Sequence, residues 1–177
     1  ADKLRWVNAH LLRHAGGAEL ARWAAGALPA AARDLPAAEL ERLLEGVRGN
    51  LATLADLPGE LAPFLEERPA PEPEAAAALE PAAARALCGE LAAALGGLAE
   101  WSEEGFKSTI RAVGMRLGVK GAGLFQPARA ALTGRLHGPE LPRVAALLGR
   151  ERCLRRLREA AGGGNETRQG GRAGGHG

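Results

Sequence analysis

The chain has 177 residues, room for one ordinary domain or two small ones. Hydrophobic residues make up 46% and aromatics only 3%, so the core must be built from Leu, Ala and Val, and the scarcity of β-branched residues argues against a sheet. A formal net charge of +2 does not by itself imply nucleic acid. Its distribution is more telling: acidic residues dominate Glu60 to Glu80 and Glu100 to Glu104, and basic ones dominate Lys107 to Arg158. Cys88 and Cys153 lie far apart with no CxxC partner, which predicts two reduced, buried or half-buried thiols. No apolar run reaches membrane-spanning length and no signal-peptide pattern opens the chain. The first residue is not Met, and the chain begins inside a helical pattern. It reads as a piece of something longer.

The elements are all helical. Leu4, Val7 and Leu11 form a stripe with Trp6 beside it, predicting a helix over about Lys3 to His14 that Gly16-Gly17 ends. A second helix is predicted over about Ala18 to Leu28, before Pro29. Pro36 opens a third, with Leu40, Leu43, Leu44 and Val47, which Gly49-Asn50 interrupts. Thr53 and Pro58 frame short helical pieces. Glu66 to Glu74 holds three prolines in five residues and reads as a plain interdomain linker. An alanine-leucine helix follows from about Ala75 to Leu95, divided at Pro81.

Ser102 is an N-cap with Glu103 and Glu104 placed where the helix dipole favours them. The body carries Phe106, Ile110 and Val113, and Gly118 suits the C′ position. Gly118 to Pro139 shows neither helix nor strand periodicity. It reads as a loop, one or two helical turns beginning at Pro127, and a second loop, with Phe125 and Leu132 as core anchors. Gly121 and Gly123 are read as permitting positive φ there. Leu141, Val144, Leu147 and Leu148 mark another helix. A last one runs over about Arg150 to Ala160, burying Leu154 and Leu157 and exposing arginines. The glycine-rich end, 162–177, is predicted disordered. The organisation is therefore all-α: a first subdomain at 1–66, a second at 67–161, and the tail.

Little in the chain points to catalysis. His10 and His14 have i,i+4 spacing but no third metal ligand in frame, so no metal is expected. The glycines at 118–123 follow no strand, and Ser108 and Thr109 have no His or Cys partner nearby. Whether an enzyme is involved is left open, since no catalytic site is expected in this chain. The cationic side chains carry more. Lys107, Arg111, Lys120 and Arg135 are candidate phosphate contacts, and the arginines of the last two helices could add to them. Arg129, within the turn, is best placed to read unpaired bases.

Gln126-Pro127-Ala128-Arg129-Ala130-Ala131-Leu132-Thr133-Gly134 resembles the QPLRxALTG segment of bacterial-type, or organellar, glutamyl-tRNA synthetases. Gly138-Pro139-Glu140-Leu141, Leu147-Leu148-Gly149-Arg150 and Arg156-Leu157 resemble that family's closing pattern. Asp2-Lys3-Leu4-Arg5-Trp6-Val7-Asn8 resembles its KLxWMN segment, and Trp101-Ser102 its Trp-Thr. The resemblance implies a C-terminal, α-helical anticodon-binding cage. The class I catalytic domain, with its HIGH-like and KMSKS-like motifs, ATP and Mg, is absent from this chain. It implies that Arg129 contacts anticodon bases, that Gly138, Pro139 and Leu141 help form the pocket, and that Asn50 occupies the position inspecting the third anticodon base, often arginine. Two departures stand out: Ala128 replaces leucine, loosening the packing under Arg129, and Asn50 replaces arginine, weakening rejection of glutamine tRNA, with Arg48 nearby as a substitute. The implied partner is tRNA(Glu), with tRNA(Gln) where discrimination is relaxed. The implied protein is monomeric, off the membrane, and in bacterial cytoplasm or alternatively a mitochondrion or chloroplast. The alternatives are a stand-alone helical protein-interaction module or a DNA-binding one.

Overall fold

A computed structural model describes the backbone of residues 2–162 and side chains from residue 7 onward. The expected tail, apart from Gly162, and the Leu4 and Trp6 side chains fall outside the described residues. Every regular element described is helical. In order these are α1 (Asp2–His14), α2 (Gly17–Ala24), α3 (Ala30–Arg33), α4 (Ala37–Val47), α5 (Leu57–Leu65), α6 (Pro73–Leu79), α7 (Ala82–Gly96), α8 (Glu103–Leu117), α9 (Ala122–Thr133), α10 (Leu141–Leu148) and α11 (Arg150–Ala160). Short 3-10 turns at Arg48–Asn50 and Leu54–Asp56 join α4 to α5.

Local signals set several boundaries. Ser102 is extended and its Oγ accepts from the Gly105 N–H at 3.1 Å, while Gly118 ends α8 at φ 67°. Phe106, Ile110 and Val113 lie on one face and are buried. Pro81 divides α6 from α7. The second helix is shorter than predicted, ending at Ala24, and the four-residue α3 was not anticipated.

The largest correction concerns Gly118 to Pro139. Pro127 is not in a first turn; it is the sixth residue of the 12-residue α9. One helical hydrogen bond is lost at its missing N–H, yet Leu124, Pro127, Ala128 and Leu132 are buried where α9 packs on α6, α7 and α11. Helix stability in proteins comes mostly from such packing, which outweighs one unfavourable residue. Leu132 is a core anchor as expected, but Phe125 remains 39% exposed. Ala128 is fully buried, and of the two loop glycines only Gly121 has positive φ, at 59°.

A single hydrophobic cluster includes Leu20, Leu44, Leu57 and Leu61 as well as Leu87, Leu91, Phe106 and Leu157. Residues before and after the proline-rich stretch thus share one core. That stretch is pinned too: the Glu72 N–H donates to the Gly134 carbonyl at 2.8 Å. At the α4–α10 crossing a Cβ on Gly46 would press into the Leu147 side chain, which would have to shift, so glycine allows this close approach. Arg42 Nη1 donates to the Ala146 carbonyl across the same crossing at 3.2 Å.

The arginines of α11 are mostly structural, a second correction. Arg156 is 3% exposed; its Nη1 donates to the carbonyls of Pro63, at 2.8 Å, and Leu132, and its Nη2 to that of Glu66 at 2.6 Å. Arg152 Nη1 donates to the Phe64 carbonyl. These acceptors include carbonyls at the C-terminus of α5, which have no partner within their own helix and sit at the negative end of its dipole. Arg150 donates to the Leu98 carbonyl and stacks over Trp101, and Arg155 pairs with Glu67 at 2.7 Å.

Cys88 and Cys153 are free and fully buried. Burial pushes Cys88 up to about 11; it pushes Cys153 up to about 12, with Arg156 and Arg152 opposing. An exposed thiol ionises near 9.0, so the unfolded chain loses these protons first. The stability they contribute is complete below that value and falls as pH rises above it. At about pH 9.5 each thiol lowers stability by roughly 0.8 kcal/mol relative to neutral pH. Urea midpoints measured at about pH 8 and 9.5 should therefore drop, and drop less in a Cys88→Ala, Cys153→Ala double variant.

Candidate nucleic-acid interface

The face bearing Arg129 is assembled from the α9–α10 connection, the N-terminus of α10, α8, and the 3-10 turn after α4. Arg129 leaves α9 half-buried, and Nη1 donates to the Pro139 carbonyl at 2.7 Å. This bond fixes the plane of the guanidinium and leaves its other N–H groups available. Burial lowers the Arg129 pKa, a sign that the cation stands partly out of water. Around it a cavity of about 250 Å³ is lined by Lys107, Arg111, Phe125, Glu140, Leu141 and Pro142.

A second cavity, of about 460 Å³, lies on the other side of Pro139-Glu140 and is lined by Arg13, Glu45, Arg48, Asn50, Glu103 and Arg143, among others. Glu140 lines both, so the two form adjoining chambers of one groove. Gly138, at φ 127°, lies close to both the Arg129 and the Asn50 side chains. A Cβ placed on it would lie 3.6 Å from Arg129 Nη1 and 3.9 Å from Asn50 Nδ2. The positive φ favours glycine here, while the surrounding space would take a Cβ in ordinary contact.

The fold therefore brings together Asn50, Arg129, Gly138 and Pro139, four of the five predicted anticodon-binding residues. The fifth, Leu141, expected to help form the pocket, is 4% exposed and lines the floor of the Arg129 chamber. Among the predicted phosphate contacts, Lys107 and Arg111 line the Arg129 chamber; Lys107 is loosely paired with Glu104 at 3.8 Å. Lys120 is exposed in the α8–α9 connection and lines neither chamber. Arg135 is engaged elsewhere, 3.7 Å from Glu60 and 3.4 Å from Glu72. Arg48 donates to the Ala15 carbonyl at 2.6 Å while lining the Asn50 chamber.

Sequence reasoning missed Phe125 as an exposed aromatic wall, Glu140 as the shared divider, and Glu60; Arg143, one of the cationic side chains expected on the last two helices, does line the Asn50 chamber. Phe125 carried a signal, an aromatic four residues before Arg129 and so one turn away on a helix, hidden once that segment was read as a loop. Glu140 and Glu60 are placed only by tertiary contacts. His10 and His14 stack with ring centroids 4.3 Å apart, and among the described residues no three His, Cys, Asp or Glu side chains could hold a metal ion.

An all-helical scaffold with an arginine-lined groove and an aromatic at its edge belongs to the class of helical nucleic-acid-binding architectures. A family model described as "Anticodon binding domain" matches residues 17–161, and the chain belongs to that family. Its relatives include glutamate–tRNA ligases of Bradyrhizobium sp. (strain ORS 278), 35% identical over 90% of this chain, and Carboxydothermus hydrogenoformans, 34% identical over 88%. The chain spans 35% and 34% of those proteins, about a third of their length. Glutamate–tRNA ligase 2 of Methylobacterium sp. (strain 4-46) is 41% identical over 78% of the chain, which covers 28% of it. The crystal structure of a glutamate tRNA ligase from Elizabethkingia meningosepticum superposes with a TM-score of 0.77 over 92% of this chain and 32% of that one. At 19% identity it shows that the fold is shared.

Proposed function

We propose that this chain is the anticodon-binding part of a class I glutamate–tRNA ligase, holding tRNA(Glu) while a separate catalytic domain, using ATP and Mg, attaches glutamate. One observation carries the reading: within the matched stretch 17–161, Asn50, distant in sequence, comes up beside Gly138 and Arg129 at the groove. An unpaired base entering the Arg129 chamber would meet the exposed Phe125 ring and the guanidinium N–H groups that Pro139 leaves available. Stacking plus edge hydrogen bonds is how single-stranded RNA is read. Lys107 and Arg111, on the same chamber, suit the adjoining phosphates. On this reading 1–66 and 67–161 act as two subdomains enclosing the groove, in a bacterial cytoplasmic or organellar protein.

The test is a gel shift of the chain with the glutamate-tRNA anticodon arm against duplex DNA over a range of salt. The expected result is selective binding of the arm; equal binding of both would reduce the groove to incidental charge.

Asn50 offers an amide where relatives of this type often carry arginine, and an amide presents no cationic fork. Changing the third anticodon base from C to G is expected to cost this chain less than about threefold in affinity, against roughly tenfold or more in an Asn50→Arg variant. Equal losses in the two proteins would remove Asn50 from base discrimination.

A further inference from the structure

A chain of polar contacts leads away from the Asn50 chamber. Asn50 Nδ2 donates to Glu60 Oε2 at 3.1 Å. Glu60 Oε1 stands 3.7 Å from Arg135 Nη1, and Arg135 Nε stands 3.4 Å from Glu72 Oε1, which shares its carboxylate with His137 at 3.8 Å. Glu60 and Arg135 are largely enclosed, with 16% and 21% of their side chains exposed, while Asn50 opens to the groove.

The polarity of the first contact is forced. A carboxylate only accepts hydrogen bonds, so the amide must turn its nitrogen toward Glu60. Oδ1 is then the end that no donor reaches among the described residues. A free Asn side chain can present either end, because rotation about its last bond is soft. Glu60, braced by Arg135, removes that choice.

We propose that Glu60 is a positioning residue that fixes the Asn50 amide with its oxygen available to the groove, so that this wall selects an RNA base carrying an exocyclic amine over one carrying a carbonyl at the same place. The inference rests on the groove being an RNA site. Cytosine carries such an amine at C4, where uracil presents a carbonyl.

The experiment uses the full chain and anticodon-arm RNAs in which each anticodon nucleotide in turn is cytidine or uridine, near-isosteric bases that exchange an amine for a carbonyl. Fluorescence anisotropy should show that the protein prefers cytidine at one of the three positions by about fivefold, the value of one net hydrogen bond. In Glu60→Gln the neighbour can donate as well as accept, the amide can turn over, and the ratio at that position should fall toward one while the ratios at the other two persist. Asn50→Ala, an exposed truncation that leaves the core untouched, should abolish the same ratio at the same position. A merely structural role for Glu60 would lower all affinities together and leave the ratio alone. Selective binding with an unchanged ratio in Glu60→Gln, or no cytidine preference at any position, overturns this inference while leaving the RNA reading standing. Binding to no arm above a duplex DNA control sinks both.

Discussion

Replacing Arg129 with alanine is expected to lower affinity for the glutamate-tRNA anticodon arm by roughly tenfold to a hundredfold, the range for a charged hydrogen-bonding group that contacts a base edge. Two losses combine. The base loses its donors, and the Pro139 carbonyl loses the 2.7 Å bond that ties the α9–α10 connection to α9. Arg129→Lys separates them. A single ammonium can serve Pro139 or a base but lacks the planar fork to hold both in register, so lysine should recover only part of the affinity. Salt dependence distinguishes base reading from simple charge. A residue that contacts phosphate changes the slope of log affinity against log salt by about one when removed. Lys107→Ala and Arg111→Ala should each do so, and Arg129→Ala should leave the slope where it was. A slope reduced by about one in Arg129→Ala would make it another phosphate contact and place base reading elsewhere.

The elements most legible in the sequence carry their signals locally. Ser102 and Gly118 bound α8 because a cap and a left-handed terminus are decided within a few residues. Pro81 and Gly149 mark boundaries for the same reason. The segment from Gly118 to Pro139 misled because its glycines and proline argue locally for loop, while the decision is made by apolar contacts with α6, α7 and α11. The site shows the same division. The resemblance in Gln126–Gly134 pointed to Arg129, but nothing near Glu60 in sequence shows that it meets Asn50 and Arg135; that follows from the way α5 lies against α9. The arginines of α11 were misread for the converse reason. Their spacing looks like a solvated basic face until α5 is placed with its carbonyls aimed at them.

Arg156 is accordingly the residue whose loss should cost the fold most. It is 3% exposed and donates to the carbonyls of Pro63, Glu66 and Leu132, so one side chain ties the end of α5 to α9. Burial, then the neighbouring Arg152, brings its pKa down to about 10, yet it stays charged at neutral pH, compensated by those acceptors. Arg156→Ala removes the donors, leaves buried carbonyls unpaired and opens a cavity; a loss of roughly 3–5 kcal/mol is expected, a large part of a small domain's stability. Arg156→Met keeps most of the stem volume and none of the donors, so the difference between the two variants isolates the cavity contribution, and both should unfold at lower urea than the parent. Arg152→Ala, which frees only the Phe64 carbonyl, should lose about 1–2 kcal/mol. A Met variant with the parent's urea midpoint would show that the carbonyls find other partners and that the bonds add nothing net. Since α5 carries Glu60, which holds Asn50, and α9 carries Arg129, Arg156 keeps the support of one chamber in register with a wall of the other without lining either. Arg156→Met should therefore weaken anticodon-arm binding even under conditions where circular dichroism shows the chain still folded.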